Sequence, residues 1–185
     1  MARPLARFLA IVAVVVALDQ LSKLLIVNSF ALYESRELIP GFFSLTYLTN
    51  KGAAFGFLAS QTGAWRHSLF LGLGAVALVV IVVAWLRLRQ AHPWYAISLP
   101  LIAGGALGNL IDRVRLGAVV DFLDVYVGTH HWPAFNVADS AICVGVAVFF
   151  LANILEDAGH GRPSVAATTD GAGAIHEKIK STGKT

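Results

Sequence analysis

Four long apolar stretches constrain this chain more than any other feature of its sequence. They cover residues 8–27, 68–86, 94–111 and 137–155 of a chain of 185 residues. A helix needs roughly 20 apolar residues to cross the hydrocarbon core of a bilayer. Only 14% of the residues are charged, against roughly 25% in a typical soluble domain. The sequence therefore predicts a membrane protein with four transmembrane helices, and it excludes a disordered, fibrous or ordinary soluble chain.

The tryptophans and basic residues predict how these helices lie in the membrane. Trp65 and Trp85 bracket the second stretch, Trp94 opens the third and Trp132 precedes the fourth, as expected at membrane–water interfaces. Four spans put both termini on one side, and basic residues favour the cytoplasmic side. With the termini inside, eight basic residues are inner and five are outer. The inner ones are Arg3, Arg7, Arg87, Arg89, Arg162, Lys178, Lys180 and Lys184, and the outer ones are Arg36, Lys51, Arg66, Arg113 and Arg115.

Composition excludes several other classes of site. The net charge is +3, but the basic residues are scattered along membrane flanks, so we expect no nucleic-acid partner. Cys143 is the single cysteine, which excludes an internal disulfide and a cysteine metal cluster. His130 and His131 are adjacent and join no recognisable ligand pattern, so we expect no metal site.

The regions outside the spans have distinct characters. We expect one membrane domain over residues 1–158, with an outer segment over residues 28–65 that forms a small extracytoplasmic sheet. Pro40-Gly41 is a turn signal, and residues 42–48 have the aromatic and β-branched composition of a strand. The tail over residues 159–185 is rich in Gly, Ala, Ser and Thr, which predicts a disordered cytoplasmic segment.

Residues 1–31 have an alternative interpretation as a cleaved signal peptide. Arg3 and Arg7 would form its basic region, and Ser29-Phe30-Ala31 resembles a cleavage site. Asp19 and Lys23, however, fall where the apolar region of such a peptide should continue. We therefore favour an uncleaved first helix.

Five of the seven aspartates fall near one membrane face in this topology. Ionisable groups at membrane depth cost several kcal/mol, and they usually mark a functional site or a paired partner. Their convergence predicts a site near the outer leaflet. The five are Asp19, Asp112, Asp121, Asp124 and Asp139.

Some of these residues also have structural interpretations. Asp19 and Lys23 are spaced i, i+4 and can form an ion pair that ties the first helix to its neighbours. Asn109, Asp112 and Arg113 can close the end of the third helix by hydrogen bonding.

Most of the remaining candidate positions also have structural interpretations. Asn136 can cap the fourth helix, with Asp139 in its first turn. Gly104-Gly105-Ala106 favours close packing of the third helix. Asp121 is the hardest to explain structurally, because it lies among β-forming and aromatic residues.

Two carboxylates offer the best-supported chemistry. When two aspartates share a proton, one is neutral and the other ionised at the working pH. The ionised group can take a proton from water while the neutral group protonates a peptide carbonyl. Asp121, in a loop, and Asp139, at the next helix start, are the natural pair.

Five blocks in order identify a resemblance to bacterial lipoprotein signal peptidase (signal peptidase II), a membrane aspartic protease. Together they span residues 19–140, and none departs from the family pattern. The blocks are Asp19–Lys23, Asn50–Gly56, Gly104–Arg113, Val120–Phe122 and Phe135–Ser140.

The resemblance implies that Asp121 and Asp139 are catalytic. It implies that five further residues line or support the site, and that Asp19 and Lys23 have a supporting role. The five are Asn50, Gly105, Asn109, Arg113 and Asn136.

The resemblance also implies the setting. Such enzymes use no metal or cofactor and lie in the bacterial inner membrane. Their substrates are prolipoproteins with a diacylglyceryl group on a cysteine, and they cut just before that cysteine. We expect a monomer in contact with membrane lipid, whose Phe55 segment covers the substrate.

Two other classes of function stay open on sequence grounds. A small ion- or proton-coupled transporter would use Asp19, Asp112 and Asp139 as a relay. The second and third spans, however, have no ionisable residue in their central or inner parts. A non-catalytic scaffold would use the polar residues only to hold its helices together.

Overall fold

The computed structural model describes residues 2–52 and 64–160. Its four long helices are α1 (Ala2–Ser29), α2 (Ala64–Leu88), α3 (Tyr95–Leu116) and α4 (Val137–His160). All four are long and apolar enough to cross a membrane. The predicted four-helix membrane fold is therefore confirmed. Because α4 reaches His160, the described part of the predicted tail is helical, and the rest of the tail lies outside the described residues.

The predicted small sheet is also present, but half of its strands come from residues 119–131, where we expected a loop that carries Asp121. Its strands are β1 (Ser35–Ile39), β2 (Phe43–Asn50), β3 (Val119–Val127) and β4 (His130–His131), antiparallel and in that spatial order. The β1–β2 turn places Gly41 at a φ of +72°, a conformation that glycine adopts without strain. Pairing of Asn50 with Val119 and of Leu48 with Asp121 brings the end of β2 alongside the start of β3.

Glycines on α3 allow its neighbours to approach closely. A methyl group on Gly104 would lie 2.7 Å from Val15 Cβ of α1, and one on Gly105 would lie 2.7 Å from Ile142 Cγ1 of α4. Both distances are shorter than carbon atoms tolerate. Small residues therefore set the contacts of α3 with α1 and α4, as expected for helix packing in a membrane.

The main apolar cluster and the buried ionisable residues lie at opposite ends of the bundle. A cluster that includes Phe8, Trp85, Tyr95 and Ala152 joins the start of α1, the end of α2, the start of α3 and the later part of α4. The opposite end buries the polar residues Asp19, Lys23, Asn109, Asp112, Asp121 and Asn136. Among the described residues, the buried ionisable groups thus concentrate at one end of the bundle. A proton or ion relay would need such groups along the whole length of the helices.

Turns at the helix ends place the two predicted aspartates. α3 ends at Leu116 and is capped by Gly117, whose φ is +71° and whose N–H donates to the Arg113 carbonyl. This tight ending lets β3 start at Val119, and Asp121 is the third residue of that strand. α4 begins at Val137, and Asp139 lies in its first turn.

We expect Gly105→Ala to lower the free energy of unfolding by about 1–3 kcal/mol, the usual cost of overpacking. Gly72→Ala on α2 is the matched control, because a methyl group there meets nothing within 4 Å and alanine favours the helix by about 1 kcal/mol. Thermal unfolding in detergent micelles measures both. Equal stability of the two variants would contradict the assigned α3–α4 contact.

Candidate active site

A cavity of about 590 Å³ lies where β2, α3, β3 and α4 meet. Asp121 and Asp139 both line it, together with the predicted residues Asn50, Asn109 and Arg113. Gly105, Asn136, Asp19 and Lys23 are not in its lining and lie behind it. The remaining lining residues are mostly apolar: Gly52, Val119, Trp132, Pro133, Ala134, Phe135, Ser140, Ile142, Cys143 and Val144.

Asn136 connects the two aspartates. Its side-chain Nδ2 donates to Asp121 Oδ1 at 2.8 Å, and its backbone N–H donates to Asp139 Oδ2 at 3.3 Å. The Asp139 backbone N–H in turn donates to Asn136 Oδ1 at 2.9 Å. This reciprocal pair is a capping box at the start of α4. The predicted cap is therefore present, and the same residue also holds both carboxyl groups.

Asn109 holds Asp139 from the other side. Its Nδ2 donates to Asp139 Oδ1 at 2.7 Å, while its Oδ1 accepts from Lys23 Nζ at 3.1 Å. A lysine ammonium has donors only, so Lys23 fixes the Asn109 carboxamide with its oxygen turned away from Asp139. The orientation of the Asp139 carboxyl thus depends on a cation in α1.

Lys23 is itself held by two carboxylates. Its ammonium lies 2.8 Å from Asp19 and 2.8 Å from Asp112, and no side chain of the three is more than 4% exposed. Asp19 Oδ1 also accepts the backbone N–H of Ala138 at 2.9 Å. The i, i+4 ion pair predicted within α1 is present, and it reaches the first turn of α4.

Asp112 and Gln20 also contact this ion pair, a connection that the local sequence pattern does not predict. We expected Asp112 to close the end of α3, but its carboxylate accepts from Lys23, Gln20 and the Val120 backbone. Gln20 Nε2 donates to both Asp112 and Asp19. Polar residues at the same depth in α1 and α3 were the available signal.

Burial raises the pKa of Asp121 from its ordinary value of 3.8 to about 7, and repulsion by the Asp139 carboxylate adds to the shift. Hydrogen bonds from Asn50 and Asn136 and the charge of Lys23 lower this pKa, but they offset only part of the increase. A neutral carboxyl group beside a second carboxyl group is the arrangement needed for a shared proton.

Other polar groups lie around this pair. Arg113 lines the cavity, and its guanidinium donates to the Asn109 carbonyl at 3.3 Å and lies over the Phe70 ring at 5.7 Å. His131 contacts Asp124 at 2.9 Å outside the cavity lining. Among the described residues, no group of three potential metal ligands is present. The predicted Phe55 cover lies outside the described residues.

Residues 11–155 match the family model for "Signal peptidase (SPase) II". The chain belongs to the signal peptidase II family. Its relatives include the lipoprotein signal peptidase of Geobacter metallireducens, which is 51% identical over 150 residues, or 81% of this chain and 91% of that protein. The lipoprotein signal peptidase of Geobacter sulfurreducens is 54% identical and covers 81% and 92% of the two chains.

Solved structures of bacterial membrane enzymes share the fold. One, determined at 2.3 Å, has a TM-score of 0.74 and 32% identity, and the match covers 86% of this chain and 94% of that one. Another, at 1.9 Å, has a TM-score of 0.71 and 31% identity, with 80% and 92% covered.

Membership of the signal peptidase II family confirms the predicted function class. The chain is a membrane aspartic protease that processes prolipoproteins, and it is a bacterial inner-membrane protein. The comparisons give no support to the transporter alternative. The family match includes α1 from residue 11 onward.

We expect Asp121→Asn to stabilise the protein at pH 8 more than at pH 5. When folding raises the pKa of a carboxyl group, the protein loses stability as the pH rises from the unfolded pKa, about 4, through the folded pKa, about 7. Asparagine carries no such penalty. Thermal unfolding of both proteins in micelles at the two pH values measures the difference. The same effect at both values would contradict the raised pKa.

Proposed function

We propose that Asp121 and Asp139 are the catalytic carboxyl groups of this peptidase, and that it cuts its substrates just before a diacylglyceryl-modified cysteine. One observation carries the proposal: both carboxyl groups face the same cavity and are bound by the same residue, Asn136. Burial raises the pKa of Asp121 and so favours its neutral form, and we assign the proton of the free enzyme to this group.

The proposed reaction needs no covalent intermediate with the enzyme. Ionised Asp139 takes a proton from a water molecule as the water oxygen bonds to the scissile carbonyl carbon, and neutral Asp121 gives its proton to the carbonyl oxygen. Breakdown of the tetrahedral intermediate breaks the C–N bond. The proton held by Asp139 goes to the leaving nitrogen, and the proton on the former carbonyl oxygen returns to Asp121. The products are a carboxyl-ended signal peptide and a lipidated cysteine with a free amine.

Neighbouring residues support both roles of the dyad. Hydrogen bonds from Asn109 and from the Asn136 backbone stabilise the ionised form of Asp139. Arg113 offers a positive charge at the cavity wall, which stabilises negative charge as it develops on the substrate. We assign Asn50 to the cavity wall, and Gly105, Asp19 and Lys23 to support from behind it.

The apolar wall of the cavity supports a lipid-linked substrate. Phe135, Ile142 and Val144 line it beside the dyad, and such surfaces bind apolar groups by removing them from water. A diacylglyceryl cysteine keeps its acyl chains in the membrane, so its scissile bond stays near the membrane surface. We therefore place the site at the outer leaflet, with both termini cytoplasmic, and we expect the enzyme to act as a monomer in lipid without a metal or cofactor.

We expect Asp121→Asn and Asp139→Asn each to reduce cleavage by at least about 10³-fold, because each removes one half of the proton transfer. Purified protein is mixed with a lipidated prolipoprotein, and the mature product is followed by gel shift. Asp124→Asn is the matched control, because Asp124 is on the same strand but pairs with His131 outside the cavity lining. It should cleave at the wild-type rate.

Retained cleavage in either dyad variant, with a wild-type thermal transition, would contradict the proposed dyad. Equal loss in Asp124→Asn would show that the assay reports on the strand and not on the dyad.

We expect Ser35→Cys to react with a membrane-impermeant maleimide in intact spheroplasts, and Gln90→Cys to react only after lysis. Both positions are exposed, and the background carries Cys143→Ala so that only the new thiol reacts. Ser35 begins β1 after α1, and Gln90 follows α2, so the two report on opposite faces. The reverse labelling pattern would contradict the proposed orientation.

A further inference from the structure

Asp112 is buried and is not in the cavity lining, yet its carboxylate contacts three residues on two other elements, α1 and β3. Its Oδ2 accepts the Val120 backbone N–H at 3.1 Å and lies 2.8 Å from Lys23 Nζ. Its Oδ1 accepts from Gln20 Nε2 at 2.9 Å. Only 2% of the residue is exposed. A buried carboxylate with these contacts both positions the groups that it binds and changes the electrostatics around them.

The contact between Asp112 and Val120 holds the backbone next to the proposed dyad. Val120 precedes Asp121 directly, and its carbonyl oxygen accepts from Asn136 Nδ2 at 3.2 Å. The backbone before Asp121 is therefore held at its N–H by α3 and at its carbonyl by the residue that caps α4. A shift of either support moves the Asp121 carboxyl relative to Asp139.

Charged groups beside Asp121 include Lys23, Asp139 and Arg113, and Asp112 contacts the first of them. Lys23 lowers the pKa of Asp121 through its positive charge, and Asp112 neutralises part of that charge from 2.8 Å away. Loss of the Asp112 charge leaves Lys23 with one carboxylate, Asp19. The neutral form of Asp121 then becomes less favourable, because a less balanced cation favours its ionised form.

We propose that Asp112 is a positioning residue for the peptidase reaction: it fixes the backbone that carries Asp121 and balances the Lys23 charge beside the dyad. The proposal rests on the proposed catalytic role of Asp121. It assigns Asp112 an effect on turnover and on its pH dependence, and no direct contact with substrate.

Asp112→Asn tests both parts, because it removes the charge and leaves one acceptor oxygen where Val120 and Gln20 now bind two. We expect kcat to fall about 100-fold, the usual effect of an error of about 1 Å in the reacting groups. KM should change little because Asp112 does not line the cavity. The alkaline limb of the kcat–pH profile, where neutral Asp121 is lost, should move about 0.5 pH unit lower, as the weaker charge balance predicts.

The double variant Lys23→Met/Asp112→Asn tests the charge effect through the pH profile; its kcat does not isolate the Val120 support, because the variant also loses the Lys23 bond to Asn109. It removes one charge of each sign, so the formal charge of the cluster is unchanged while the Val120 support stays altered. We expect kcat to remain low and the alkaline limb to return toward its wild-type position. Asp124→Asn, the same substitution on β3, should leave both kcat and the pH profile unchanged.

If Asp112→Asn lacks a cooperative thermal transition, Asp112→Glu decides. It keeps the charge and moves the carboxylate by one methylene, so kcat should fall while the pH profile stays as in wild type. Wild-type kcat in any folded Asp112 variant, or a loss seen only in KM, would overturn the proposal. Active Asp121→Asn protein would instead overturn the proposed dyad, so the two failures are distinguishable.

Discussion

The buried ammonium of Lys23 is the interaction on which the rest of the site depends. A lone cation in such a place costs several kcal/mol, and it is tolerated only when paired and hydrogen-bonded. Asp19, Asp112 and Asn109 supply these partners from α1 and α3. Each partner also binds a second residue. Asp19 accepts the backbone N–H of Ala138, Asp112 accepts that of Val120, and Asn109 donates to Asp139. One charge in α1 therefore sets positions in β3 and α4, where the two proposed catalytic carboxyl groups lie.

The glycines of α3 make this arrangement possible. A methyl group on Gly108 would lie 2.6 Å from Asp19 Oδ2, so only glycine leaves room for that carboxylate between α1 and α3. The apolar cluster at the other end of the bundle supplies contacts that need no specific geometry. Polar contacts thus concentrate at the end of the bundle that holds the cavity, while close packing at glycines extends along α3 and α4.

Much of the fold follows from local sequence pattern. Helix lengths follow from apolar runs, and the i, i+4 spacing predicted the Asp19–Lys23 pair that the structure contains. The cap by Asn136 followed from its position before α4. These features depend on residues close in the chain, so a single sequence carries them.

The rest depends on contacts distant in the chain. Asp112 binds the N–H of Val120 and the ammonium of Lys23, and no spacing rule relates α3 to these partners. Asp121 and Asp139 were paired from their chain positions, but Asn136 and Asn109, which hold them, were assigned to the site only by family resemblance. The direction of each carboxamide is determined by donors and acceptors on three elements, which sequence pattern does not encode.

Direct titration of the Asp121 carboxyl group tests the central claim, that two aspartates share one proton at this site. Carbon-13 NMR of the enzyme in micelles, with aspartate carboxyl carbons labelled and Asp121→Asn used to assign the signal, gives the pKa. The account predicts a value near 7 in the wild type and a lower value in Asp139→Asn, where the neighbouring charge is gone. A value near 4, unchanged by Asp139→Asn, would contradict it.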